Sequence, residues 1–302
     1  MTQTHPFHPS YWLKAAIAGF LYLAGAVLFG MFAAAIHFRI PDLNPPGTNM
    51  SSALRMFALT SVLMGLALLP LTLYTWASRL VRSLALFLLV FICIGVNSVI
   101  ELTIFSTYFV HGGALAVVVS MILPALLCAF ALSYLLPSAP AEAERHVDLH
   151  SHSVGSWIVR ILLAILAFPI IYFCFGAMVG PFVVDFYRSG VSPLILPPLS
   201  TILPVQVLRS SLFLLASAPF LFLWSRSRAS LIFALGLAHC YLVGLFGLIQ
   251  VTWMPPVLRI GHSLEIAADS FVYAAVLVLL FVPRHRESAV STPAHPAPMF
   301  PS

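Results

Sequence analysis

Eight long apolar runs, separated by short polar or proline-rich segments, occupy most of the chain. Each run has about the 20 residues that a helix needs to cross the hydrocarbon of a bilayer. Open sheets are excluded there because their edge groups stay unpaired in lipid. The predicted spans are 13–36, 54–76, 84–110, 114–136, 157–179, 205–224, 229–252 and 260–282. The pattern predicts an all-α integral membrane protein with about eight transmembrane helices.

The composition agrees with this fold class. Of the 302 residues, 61% are hydrophobic and 8% are charged, whereas roughly 25% of the residues in an ordinary soluble domain are charged. The net charge of +5 comes from scattered arginines and a single lysine, Lys14. Nucleic-acid binding would require a dense basic stripe, so we predict no nucleic-acid partner. We expect the lipid bilayer to be the solvent around the helices.

The first run could also be interpreted as a signal peptide. Lys14 lies at its start, and the small residues Ala33, Ala34 and Ala35 resemble a cleavage site. However, the apolar region of a signal peptide has only about 7 to 15 residues, and this run is longer. We therefore predict a transmembrane helix.

Lysines and arginines are distributed unevenly between the two ends of the predicted helices. Nine lie at one end, among them Lys14, Arg79 and Arg160, and five lie at the other, among them Arg188. Short cytoplasmic loops carry the excess of positive charge in membrane proteins. The count predicts that both termini lie in the cytoplasm. We expect a multi-pass protein of a bacterial-type plasma (inner) membrane.

A shift of 149 residues brings the second half of the chain into register with the first. The coinciding pairs, each 149 apart, are Arg39 with Arg188, Pro70 with Pro219, Arg79 with Arg228, Gly95 with Gly244 and Gly112 with Gly261. Each half would contain four helices, an even number, so both would enter the membrane in the same direction. We predict a parallel 4+4 repeat, in which 1–136 and 154–283 are the halves, 137–153 is a cytoplasmic linker and 284–302 is a disordered tail.

Polar residues inside the apolar runs are the first candidates for function, because a charge in hydrocarbon costs a few kcal/mol or more unless it faces protein or water. The candidates on the third and eighth runs are Asn97 with Glu101, and His262, Glu265, Asp269 and Tyr273. Each set lies on one helical face. At 1.5 Å per residue, Glu101 and Asp269 are each about 14 Å from the outer ends of their runs. We predict that both line one cavity and bind substrate or protons; alternatively, these carboxylates only tie helices together.

The seventh run adds His239 near its middle and Gln250 on almost the same face. A lone histidine in a bundle is more often a hydrogen-bonded strut than a ligand, so both readings of His239 stay open. The arginines near the predicted outer surface, Arg55, Arg209 and Arg259, are candidates to attract anions.

No metal or cofactor is predicted. His262 and Glu265, at i and i+3, could hold a metal together with Asp269, but the chain has no H-E-x-x-H signature. It also lacks a phosphate-binding loop and a nucleophile elbow, so ATP-driven work by this chain alone is not expected.

The sequence is compatible with three functions. The leading hypothesis is a permease-like carrier with an outward-facing polar cavity for an unknown small-molecule or lipid substrate. The second is a membrane-embedded enzyme that acts on a lipid or lipid-linked substrate near the outer leaflet, with His262, Glu265 and Asp269 as acid/base residues or as ligands of a metal. The third is a non-catalytic assembly or sensory subunit with a membrane partner.

Overall fold

A computed structural model describes residues 8–43, 49–138, 153–188 and 193–283, and eight helices in these ranges are long and apolar enough to cross a membrane. They are α1 (Pro9–Ala35), α2 (Met50–Tyr74), α3 (Arg79–Phe105), α4 (Ala114–Leu135), α5 (Val154–Arg188), α6 (Leu199–Leu223), α7 (Arg228–Gln250) and α8 (Pro256–Phe281). Across the described ranges, β structure is limited to two isolated bridges. The all-α class and the eight helices are therefore confirmed. Most of the predicted linker (139–152) and the predicted tail (284–302) lie outside the described residues.

Several helix ends differ from the predicted spans. The third helix ends at Phe105 rather than near 110, because Ser106 adopts an extended conformation and forms an antiparallel bridge with Leu194. The fifth helix continues to Arg188, well beyond the predicted end at 179. The sixth begins at Leu199 instead of 205. Hydropathy marks only the part of a helix that suits hydrocarbon, whereas backbone hydrogen bonding continues past that part.

The connections define two faces of the bundle. The segments 36–43, 106–113, 193–198 and 251–255 lie at one face, called the distal face below, and 75–78 and 224–227 lie at the opposite, terminal face. The distal segments contact one another: a Cβ added to Gly113, which has φ +95°, would lie 2.3 Å from Pro41. Ser106 and Leu194 join two more of them.

The helices pack in two similar groups. In the first, α1 contacts α2 and α4, and α4 contacts α3; in the second, α5 contacts α6 and α8, and α8 contacts α7. The groups meet where α2 contacts α7 and α3 contacts α6. Small residues allow close approach within a group. A Cβ on Gly65 would lie only 2.0 Å from the carbonyl oxygen of Ala15, so α1 and α2 touch backbone to backbone there.

Two pairs of helices, one helix of each pair from each group, are separated by the same interval. Helices α2 and α6 both have 25 residues and begin at Met50 and Leu199, 149 positions apart. Helices α3 and α7 each contain a six-residue π-helical turn, Phe91–Val96 and Cys240–Leu245, and these turns are also 149 apart. A π turn is rare inside an α-helix. Its recurrence at this interval is therefore stronger support for an internal repeat than matching apolar residues are.

A short backbone pairing joins the groups at the terminal face. Thr75 and Trp224, again 149 apart, form an isolated antiparallel bridge. The N–H of Trp76 donates to the carbonyl of the residue before Trp224 at 2.7 Å, and the N–H of Ser225 donates to that of the residue before Thr75 at 3.0 Å. The two donors are 149 positions apart, and so are the two acceptors. The two hydrogen bonds are therefore equivalent under the same shift, as a local two-fold axis through the bridge requires.

Arginines at the helix ends bind the free carbonyls of neighbouring helices. Arg82 is 1% exposed, and its guanidinium donates to the carbonyls of Ser133 and Leu136 at the end of α4. Arg160 donates to the carbonyl of Leu280 at the end of α8. Such groups stabilise the carbonyls that a helix C-terminus leaves unpaired. These arginines therefore stabilise helix ends, whatever their effect on the orientation of the protein in the membrane. The orientation itself stays a prediction.

The outer surfaces of α1 and α5 are apolar. Exposed side chains include Leu28 and Met31 on α1, and Leu166, Ile170 and Met178 on α5. Water would disfavour such continuous apolar surfaces, whereas hydrocarbon accommodates them. The eight apolar helices thus fit a multi-pass membrane protein in contact with a lipid bilayer.

Candidate functional site

A partly enclosed cavity of about 350 Å³ lies among α3, α5, α6, α7 and α8. It reaches from distal-face residues such as Tyr108, Leu194 and Trp253 to His239 and Tyr273, which lie well inside α7 and α8. We call it the distal cavity. Its volume is at the lower end of the roughly 300–1,000 Å³ typical of small-molecule sites.

Arg209 of α6 is the centre of a buried polar cluster at the cavity. Its guanidinium donates to Asn97 Oδ1 at 2.7 Å, to Gln206 Oε1 at 3.0 Å and to Glu101, with which it forms an ion pair. The side chain of Arg209 is 4% exposed and that of Glu101 is 32% exposed. The pair joins α3 to α6, and therefore joins the two groups of helices.

Aromatic rings enclose the same guanidinium. Its carbon lies 5.6 Å from the ring centres of Phe168 and Phe213, and 6.0 Å from that of Tyr172. Cation–π contacts of this kind gain strength where water is excluded. Arg209 is thus held on several sides by its own protein.

A second polar chain lies between α5 and α8. The Tyr187 hydroxyl is 2.9 Å from His262 Nε2, and His262 Nδ1 is 3.0 Å from Glu265 Oε2. In the tautomer with its proton on Nδ1, His262 donates to Glu265 and accepts from Tyr187. A Cβ on Gly176 would lie 3.2 Å from Glu265 Oε1, so this carboxylate packs against the α5 backbone.

Asp269 lies one helical turn below Glu265 and is 5% exposed. It lines the distal cavity, and its Oδ1 is buried with no hydrogen-bond partner among the described residues. Still deeper, the Tyr273 hydroxyl is 3.2 Å from Ser210 Oγ and also donates to the Ser210 carbonyl. All four residues of the predicted α8 stripe therefore line the same cavity as Glu101 and Arg209.

His239 has a hydrogen-bonded setting of its own. Its Nε2 is 3.0 Å from Ser217 Oγ, and its ring stacks near Tyr273 with centroids 6.4 Å apart. The residue lines the deepest part of the distal cavity. It ties α7 to α6 there, an arrangement consistent with an interhelical strut.

Other predicted site residues lie elsewhere. Gln250 donates to Thr60 Oγ1 at 3.0 Å, across the α2–α7 contact, and does not line the cavity. Arg259 donates to the carbonyl of Leu248 near the end of α7, and Arg55 is exposed on α2. Asn97 reaches the site only through Arg209. The anion-attracting role of the arginines stays a prediction.

Three residues of the site, two in the cavity wall and one beside Arg209, were not among the predicted candidates. Tyr172 lies on α5 within a long apolar run, where nothing local distinguishes it from core aromatics. Tyr187 lies between Asp185 and Arg188, beyond the predicted end of that run at 179. Gln206 could have been found, because it lies three residues before Arg209 and so shares its helical face. Within the described ranges, no group of three or more His, Cys, Asp or Glu residues is arranged to hold a metal ion.

No family model matches this chain, and neither a curated protein nor a solved structure is significantly similar to it. The fold therefore defines only a broad class, that of helical multi-pass membrane proteins. Any more specific assignment must come from the site.

Proposed function

We propose that the chain is a permease-like carrier of a plasma membrane and that the distal cavity is its substrate site. The main support is that ionisable residues of α3, α6 and α8 meet in one cavity that extends from a bundle face to its interior. Ionisable groups are costly at membrane depth and are rare unless they serve a pathway or a site. Glu101, Glu265 and Asp269 are the proposed substrate or proton groups.

The proposed architecture is a parallel duplication of four helices. Its support is the constant interval of 149 residues between the starts of α2 and α6, between the π turns, and between Thr75 and Trp224. In carriers built from repeats, the site lies near mid-membrane where the repeats meet. The Glu101–Arg209 ion pair lies between the two groups of helices, because it connects α3 with α6. Glu101 lies four residues before the end of α3, about 6 Å along the helix rather than the predicted distance of about 14 Å.

In the proposed orientation the terminal face is cytoplasmic and the distal cavity opens outward. The larger number of lysines and arginines at the terminal ends of the helices supports it. A carrier must also expose the cavity to the opposite side during its cycle. That requirement gives a test that needs no knowledge of the substrate.

The test places a single thiol in the cavity. Ser98 of α3 lines it, and Ser98→Cys is made in a background with the four native cysteines replaced. Vesicles of both orientations are treated with a membrane-impermeant maleimide. A carrier exposes the thiol alternately to each side, so we expect labelling from both.

Two control positions define the sides. Ser51→Cys and Ser227→Cys lie on exposed segments of the distal and terminal faces, respectively, and each should react from one side only. If the thiol at position 98 reacts only from the distal side while both controls behave as expected, the carrier proposal fails.

One observation favours a second function, a membrane-embedded enzyme acting on a lipid or lipid-linked substrate. The chain of contacts from Tyr187 through His262 to Glu265 has the order of a reactive hydroxyl, a base and a group that orients the base. An enzyme needs access from one side only. One-sided labelling at position 98 would therefore favour this function over the carrier.

A further inference from the structure

Asp269 is the carboxylate of the distal cavity that forms no side-chain hydrogen bond or ion pair among the described residues. Arg209 forms its ion pair with Glu101, and His262 contacts Glu265. Asp269, by contrast, is 5% exposed and has a buried oxygen, Oδ1, without a hydrogen-bond partner in the described part of the chain. A buried carboxylate without a partner is costly, so the cavity favours a ligand that supplies a partner.

The nearby charge selects the sign of that partner. Glu265 lies four residues before Asp269 on the same face of α8, so two carboxylates lie close together. The guanidinium of Arg209 is already engaged by Glu101, Asn97 and Gln206. A cation would be stabilised beside Asp269, whereas an anion would be repelled.

The remaining lining indicates an organic cation rather than a metal ion. Much of the cavity wall is apolar, including Leu102, Phe105, Leu242 and Ile266, and Trp253 adds an aromatic ring. Apolar walls suit the carbon body of a ligand, and aromatic rings are common neighbours of bound ammonium groups. A metal ion would need several converging ligands, and no such group occurs in the described ranges.

We propose that the distal cavity binds an organic ammonium ion, with Asp269 as the counter-ion of its charged head and the apolar wall around its carbon body. This inference rests on the proposed role of the distal cavity as a substrate site, because it names the substrate class for that cavity. It is tested by equilibrium binding, which does not depend on transport.

The first experiment varies the ligand and leaves the protein intact. Isothermal titration calorimetry of the full chain in an uncharged maltoside detergent compares 2-phenylethylammonium, 2-phenylethanol and phenylacetate. These probes share a ring and differ in the charge of the head. Hydrogen bonds between charged groups are stronger than neutral ones, so the ammonium should bind at least about tenfold more tightly than the alcohol. The anion should bind more weakly still.

The second experiment varies the carboxylate. Asp269→Asn keeps the shape of the side chain and removes its charge, and it should weaken binding of 2-phenylethylammonium by at least about tenfold. Asp185→Asn is the matched control, because Asp185 is an exposed carboxylate on α5 outside the cavity lining. This control should bind as the unmodified protein does.

The outcomes separate this inference from the carrier proposal. The inference is overturned if the alcohol or the anion binds as tightly as the ammonium, if none of the probes binds, or if folded Asp269→Asn retains full affinity. It stands if the ammonium binds through Asp269, even when the thiol at position 98 reacts from one side only. In that case only the carrier proposal fails.

Discussion

The ion pair between Glu101 and Arg209 should couple α3 to α6 energetically. Glu101→Gln keeps an oxygen that can accept from the guanidinium but removes the charge. Arg209→Met removes the guanidinium and keeps an unbranched side chain. We expect each single variant to lower the free energy of unfolding, and the double variant to lose less than the sum, because a buried charge without its partner costs more than a neutral pair.

The magnitude follows from the exposure of the two side chains. Two unit charges about 4 Å apart attract by roughly 4 kcal/mol at an effective dielectric constant near 20. Arg209 is 4% exposed, but Glu101 is 32% exposed, so water weakens the attraction below that value. Hydrogen bonds to charged groups contribute about 1.5–3 kcal/mol. We therefore expect a coupling energy of about 2–3 kcal/mol.

The assay is reversible unfolding in mixed micelles by a denaturing detergent, followed by tryptophan fluorescence. The chain supplies its own neutral control. Thr60 lies 149 positions before Arg209, and Gln250 lies 149 after Glu101, so the hydrogen bond from Gln250 to Thr60, at 3.0 Å, joins the corresponding positions of α2 and α7. Neutral hydrogen bonds between membrane helices average about 0.6 kcal/mol. A Glu101–Arg209 coupling no larger than that of the control would refute the assignment of a buried ion pair.

Two further predictions concern packing and topology. Gly65→Ala should destabilise the protein by about 1–3 kcal/mol, because the added Cβ would lie 2.0 Å from the Ala15 carbonyl oxygen. Gly30→Ala is the control and should not destabilise the protein, because its Cβ would meet nothing within 4 Å. Equal thermal stability of the two variants would contradict this prediction. Reporter fusions after Ser138 and at the C-terminal end should be active only with a cytoplasmic reporter, and activity of a periplasmic reporter at either place would overturn the orientation.

The sequence predicted the helices well and their ends poorly. Hydropathy detects the segment that can lie in hydrocarbon, and all eight such segments are helices. It cannot detect where a helix continues beyond that segment, as α5 does to Arg188, or where a distant contact stops one. The bridge between Ser106 and Leu194 ends α3, and it joins residues 88 positions apart.

Residues of the candidate site differed in how far the sequence could place them. The stripe from His262 to Tyr273 follows from helical spacing, and it lines the cavity. The partner of Arg209 could not be predicted from spacing, because Glu101 lies on another helix and the choice depends on which helices pack together. Gln250 lies on the predicted face of α7 but contacts Thr60 instead of the cavity. Helix periodicity shows on which face of a helix a residue lies, and only the tertiary packing shows which residue it contacts.

The position of Arg209 has a consequence for biosynthesis. Helix α6 is the least apolar of the eight spans in the described residues, and Arg209 lies near its middle. An arginine there opposes translocon-mediated insertion by about 2.5–3.5 kcal/mol. Helix α3 is synthesised earlier and carries Glu101, the carboxylate that neutralises this arginine. We expect α6 to leave the translocon against α3 rather than alone, so the order of synthesis guides its insertion.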